Sequence, residues 1–138
     1  MTDPAFPITI WHNPACGTSR NVVAMVRAAG HHPEIIEYLR TGWHPAELRR
    51  LLTDAGLTPR DALRVKGTDA ADRGLLDVGT TDETIIDAMV ASPVLVNRPF
   101  VRTPKGVRLA RPSEAVLDLL DRRPESFAKE DGEVVNLA

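Results

Sequence analysis

The segment that most constrains this chain is a strand, loop, helix and strand in close succession near its start. Residues 8–11 (ITIW) form a short, β-branched apolar run closed by turn residues, which reads as a buried strand. After Cys16, the residues Val22, Met25, Val26 and Ala29 recur at i, i+3, i+4 and i+7, and Gly30 stands where a C′ glycine ends a helix. Residues 34–39 (EIIEYL) read as a second strand. Two strands joined through a helix in this way lie parallel, with a right-handed crossover.

The rest of the chain extends that start. Pro45 opens a helix with Leu48, Leu51, Leu52 and Ala55 on one face and Gly56 at its end. Thr58, Pro59 and Asp61 hold the N-cap, N1 and N3 positions of a capping box and predict a further helix. A third begins near Thr80 and Thr81, has Glu83 in its first turn, buries Ile85, Ile86, Met89 and Val90, and stops by Ser92-Pro93. Residues 94–96, 100–103 and 107–110 read as strands, the last two joined by a tight turn at "PKG". Ser113 is expected to cap a last helix carrying Val116, Leu117 and Leu120. The order is β-α-β, a helical insert, then β-β-α. It predicts an α/β fold with helices packed on a mixed sheet, in the order of a thioredoxin-like fold, within one domain spanning 1–138.

Composition narrows the function classes. At 15.1 kDa and 43% hydrophobic residues the chain is large enough for its own core. A net charge of -2 offers none of the phosphate attraction on which nucleic-acid binders rely. No apolar run is long enough to span a bilayer, and the start "MTDPAFPITIW" lacks a basic region followed by a long apolar one. A cytoplasmic location away from membranes is therefore expected. One cysteine cannot close an intrachain disulfide, and a reducing compartment keeps it a thiol.

That cysteine sits in "HNPACGTSRN", where a strand hands over to a helix. The unpaired N–H groups of Gly17, Thr18, Ser19 and Arg20 point toward it, and the positive end of the helix dipole adds to them. Such settings lower a cysteine pKa and also cradle anions. A dithiol oxidoreductase needs C-x-x-C, and the position three before Cys16 is Asn13. A cysteine phosphatase loop needs an arginine six residues on, and that residue is Val22; Arg20 has the wrong spacing. An activated thiolate without an internal second thiol must take one from outside. His31, His32 and His44 fall in loops without zinc-site spacing, so no metal is expected. The charges of "DRRPE" and "KED" read as solvated.

"HNPACGTSRN" resembles the active-site segment of the glutaredoxin-coupled arsenate reductases, a thioredoxin-fold family. "ALRVKG", "NRPFV" and "RLARPSEAVL" resemble the segments bearing that family's three anion-binding arginines, and "FAKEDGE" resembles its ending. The resemblance implies that Cys16 is the nucleophile, supported by His12. Arg64, Arg98 and Arg111 would hold the oxyanion, with the N–H groups of Gly17, Thr18 and Ser19. Pro99 would be the cis proline that faces the cysteine in thioredoxin-like folds. Glutathione would serve as co-substrate and glutaredoxin as partner, with arsenate as substrate and no bound cofactor. Relatives of this fold also include redox-sensing regulators that bind RNA polymerase; these commonly carry C-x-x-C, which Asn13 removes.

Overall fold

The computed structural model describes residues 5–123, 126–129, 132 and 134–136. Two compact units make up the chain: Met1–Glu37 together with Arg98–Ala138, and Tyr38–Asn97, which corresponds to the helical insert.

In the first unit, β1 (Thr9–Trp11) leads to α1 (Gly17–Ala28) and then to β2 (Glu34–Ile36), which pairs parallel with β1, Ile10 opposite Ile35. On its other side β1 pairs antiparallel with β3 (Phe100–Thr103), and β3 with β4 (Gly106–Leu109). The sheet order is β2-β1-β3-β4, a mixed sheet of the thioredoxin-like kind. Strand alternation turns Ile8, Ile10 and Val101 to the face that meets Val22, Met25, Val26 and Ala29 of α1. The cross-strand partners Trp11 and Phe100 fall on the opposite face, where the Arg102 guanidinium lies 5.4 Å from the Trp11 ring centroid. Helix α1 ends as expected. Gly30 takes φ +92°, its N–H donates to Arg27 O at 2.9 Å, and His31 N–H donates to Val26 O at 3.2 Å.

The last predicted helix is a 3-10 segment, Ser113–Leu119, and Ser113 is not its cap. Pro112 holds that position, and the Ser113 hydroxyl donates to Glu114 Oε1 at 2.9 Å. The buried residues explain the tighter winding: Val116 with Leu119, and Leu117 with Leu120, recur every three residues, the 3-10 period. A strand pair, β5 (Ser126–Ala128) and β6 (Val134–Asn136), follows where no element was expected. Lys129 is not a solvated charge, because it is largely buried against Glu114. Pro124, Glu125, Glu130 and Asp131 of the two charged stretches lie outside the described residues.

In the second unit, the strand expected over 34–39 gives way to a helical turn, α2 (Tyr38–Thr41). Tyr38 is buried, donates its hydroxyl to Val96 O at 3.2 Å and packs on Trp43. Helix α3 (Pro45–Asp54) buries Leu48, Leu51 and Leu52, and His44 caps it by accepting the Ala46 N–H at Nδ1. Helix α4 (Asp82–Ala91) is capped by Thr81, with Asp82 and Glu83 in its first turn. The capping box at Thr58 forms: Asp61 Oδ2 accepts the Thr58 N–H at 3.0 Å, and Thr58 Oγ1 accepts the Asp61 N–H at 3.1 Å. No helix follows it. The next backbone groups pair across the unit instead, Arg64 N–H with Leu95 O and Asn97 N–H with Ala62 O, around a bridge between Leu63 and Val96. Residues 94–96 are accordingly not a full strand: Pro93–Leu95 is a 3-10 turn, and Val96 alone bridges.

Candidate active site

The junction of β1 and α1 is built from short-range hydrogen bonds. His12 N–H donates to Ile36 O at 2.8 Å and so continues the β1 ladder past Trp11. Asn13 then folds the chain back: its Oδ1 accepts the Ala15 N–H at 2.9 Å, and its carbonyl accepts the Cys16 N–H at 3.0 Å. Arg20 Nη1 donates to Pro14 O at 2.8 Å, which ties the turn to the helix it precedes. Cys16 takes the N-cap of α1 with extended backbone angles, φ -101° and ψ 121°. No side chain caps α1 and no acid stands in its first turn, so its leading N–H groups are left for the sulfur or for a ligand.

Two arginines meet at the thiol. Arg98 and Arg111 each precede a cis proline, Pro99 at the entry to β3 and Pro112 after β4. The first of these was expected; the second was not. Arg111 Nη1 donates to Cys16 Sγ at 3.8 Å and to Arg98 O at 2.9 Å, so one guanidinium ties both turns to the cysteine. Burial of Cys16 acts to raise its pKa, but this is outweighed by the Arg98 hydrogen bond, the Ser19 N–H, the Arg98 charge and the Arg111 hydrogen bond. The thiol lies below its ordinary value.

Beside it runs a second network. Ser19 Oγ accepts the Asn13 N–H at 3.1 Å and contacts His12 Nδ1 at 2.6 Å. A hydroxyl has one proton and two lone pairs, so Ser19 Oγ serves both partners at once. The pKa of His12 is lowered: burial is the main cause, Glu37 opposes it, and Arg27 and Arg20 add to the lowering. Ser19 is fully buried, and the pair fixes the Cys16 loop from beneath.

The structure thus brings Cys16, Arg98, Arg111, His12 and Ser19 together, with half-buried Gly17 and Thr18 in the first turn of α1. Arg64 belongs to the other unit, where its Nε donates to Lys66 O at 3.2 Å. Among the described residues no group of three or more His, Cys, Asp or Glu is placed to hold a metal, and no helix is long and apolar enough to cross a membrane. Three contributions were missed in the sequence: the Asn13 turn, the Arg20 tie and the Ser19 hydroxyl. The first had a signal, since asparagine before proline favours turn initiation.

A thiolate flanked by two guanidiniums and a helix N-terminus can attack an electrophilic centre while holding its anionic oxygens. Proteins of known kind share this arrangement's sequence. The ArsC family matches residues 11–119. An arsenate reductase of Synechocystis sp. is 57% identical over 129 residues, 93% of this chain and 92% of that one. One from Escherichia coli K12 is 49% identical over the same shares. The structure of an arsenate reductase from Vibrio cholerae superposes with a TM-score of 0.79 at 34% identity, over 83% of this chain and 98% of that one. With its strand order, its cysteine at the head of α1 and these relatives all in agreement, the chain belongs to the ArsC family.

Proposed function

We propose that this protein reduces arsenate to arsenite in the cytoplasm, with Cys16 as nucleophile. One observation carries the reading: the chain's single cysteine is thiolate-favoured and has the Arg98 and Arg111 side chains on it. Arg98, Arg111 and the N–H groups of Gly17, Thr18 and Ser19 hold the arsenate oxygens, and Arg64 is assigned as a third cation. Cys16 Sγ attacks arsenic, a sulfur–arsenic bond forms, and one oxygen takes up a proton and leaves as water. An outside thiolate then attacks Sγ. A disulfide forms, the sulfur–arsenic bond breaks, and its electron pair stays on arsenic, which falls from the +5 to the +3 state and departs as arsenite. The thiol is glutathione, and a glutaredoxin thiolate attacks the glutathione sulfur to free Cys16. His12 acts through Ser19, holding the loop.

Identity to arsenate reductases favours this enzyme over the redox-sensing regulator, as does Asn13 in place of a second cysteine. The test is arsenate-dependent NADPH oxidation with glutathione, glutaredoxin and glutathione reductase. Steady turnover is expected; its absence with folded protein overturns the reading. Thioredoxin with its reductase supporting full turnover alone would overturn the electron route.

A further inference from the structure

Arg111 is held differently on its two sides. On the strand side, Ala110 N–H donates to Pro99 O and Arg111 N–H to Leu109 O, each at 2.9 Å, so the end of β4 fixes the backbone that enters Arg111. On the other side the chain passes through Pro112 into the 3-10 segment Ser113–Leu119. The far end of that segment is fastened to the β3–β4 hairpin: Thr103 Oγ1 donates to Leu119 O at 2.7 Å, and Lys105 Nζ donates to Leu120 O at 2.8 Å. Arg108 Nη1 meets Asp118 Oδ2 nearer its middle, at 2.9 Å. The near end, beside Arg111, is fastened from another place.

There Glu114 gathers the contacts. Its Oε1 accepts the hydroxyl proton of buried Ser113 and pairs with Lys129, which follows β5. The Lys129 side chain is 12% exposed, against 45% for Arg108 in its surface pair with Asp118. Burial acts to raise the Glu114 pKa, but it is outweighed by hydrogen bonds from Lys129 and Ser113, by the Lys129 charge and by the Glu114 N–H. The carboxyl lies below its ordinary value. Removing one partner of a pair withdrawn from water strands the other, so such a pair matters more than an exposed one. The turn between Glu114 and Arg111 is closed by Ala115 N–H on Pro112 O at 3.0 Å, so a shift at Glu114 is passed along to Arg111. That arginine places its guanidinium on Cys16 Sγ and Arg98 O.

We propose that Lys129 and Glu114 are a positioning pair for the candidate active site: the residue after β5 holds the first turn of the 3-10 segment and, through it, the Arg111 guanidinium on Cys16. The proposal rests on the proposed function only for what the thiolate then does. How Arg111 is held is tested without arsenate.

Alkylation of Cys16 by iodoacetamide is followed against pH in folded variants of the full chain. Lys129→Met and Glu114→Gln change the net charge in opposite directions, so a simple field effect moves the midpoint up in the first and down in the second. Loosening of Arg111 instead moves both upward, by about half a pH unit, a part of what one charge-assisted hydrogen bond contributes. Glu114→Gln keeps an oxygen for Ser113, and it alone decides between the two if Lys129→Met does not fold. Lys105→Met cuts the far end of the same segment and removes an equal charge; it is expected to leave the midpoint in place. In an Arg111→Ala background neither Lys129→Met nor Glu114→Gln is expected to move the midpoint further. A downward or absent shift in Glu114→Gln, an equal rise in Lys105→Met, or rises that persist undiminished without Arg111 each overturn the pair's role. Arsenate turnover with unmoved midpoints removes the positioning pair and leaves the reductase standing; the expected shifts without arsenate turnover do the reverse.

Discussion

Helices α1 and α4 begin in opposite ways. At α4, Thr81 Oγ1 accepts the Thr84 N–H at 3.2 Å, and Asp82 and Glu83 place negative charge against the positive end of the helix. At α1, the N-cap is a cysteine, with a sulfur facing the Ser19 N–H in place of a capping oxygen, and the first turn holds no acid. A side-chain cap is worth about 1 kcal/mol, and a well-placed charge adds about 0.3–1 kcal/mol. The start of α4 takes that stabilisation for itself. The start of α1 forgoes it and leaves its donors beside the Cys16 thiol, where the proposed oxyanion site would use them.

The sharpest way to break this contrast is to give α1 the cap it lacks. Cys16→Asp is expected to abolish arsenate turnover while raising stability by about 1 kcal/mol in denaturant unfolding. Loss of activity together with loss of stability would show that α1 forgoes nothing. Arg98→Ala comes next. It removes both the hydrogen bond and the charge that favour the Cys16 thiolate, against a burial effect that remains. The pH midpoint of Cys16 alkylation should therefore shift upward, toward the ordinary thiol value, and arsenate efficiency should fall about ten- to a hundredfold. In the unaltered protein alkylation should already be fast below that ordinary value, because the shift is downward. The smallest effect belongs to α4: Thr81→Ala should cost about 1 kcal/mol of stability and leave the alkylation profile of Cys16 unmoved.

Much of this could be read from local pattern. The stripe of Val22, Met25, Val26 and Ala29 with Gly30 behind it marks α1 to within a residue, because one amphipathic face and one left-handed glycine are both local facts. The segment after Thr58 shows where locality ends. Its capping box is present and bonded, yet Ala62, Leu63 and Arg64 answer to residues 95–97, and nothing near Thr58 announces those partners. Ser113 misled for a different reason. Its three-residue apolar period resembles a helical stripe until Leu119 is counted with Val116. In the site, Cys16 could be placed from the strand-to-helix boundary alone. Arg111 lies 95 positions away, and two equally plain arginines, 49 and 50, look no different in composition; only the likeness of whole segments singled out Arg98 and Arg111.

The double tie made by Arg111 has a thermodynamic consequence. Its guanidinium is held by Arg98 O and Cys16 Sγ before any ligand arrives. A free arginine loses up to about 2 kcal/mol of rotamer entropy when it is pinned, and here that loss is already part of folding. Under the proposed function, oxyanion binding beside Cys16 therefore starts from an ordered receptor. Its calorimetric signature is set by the exchange of water for guanidinium and amide hydrogen bonds, with little entropy left to lose in the side chain.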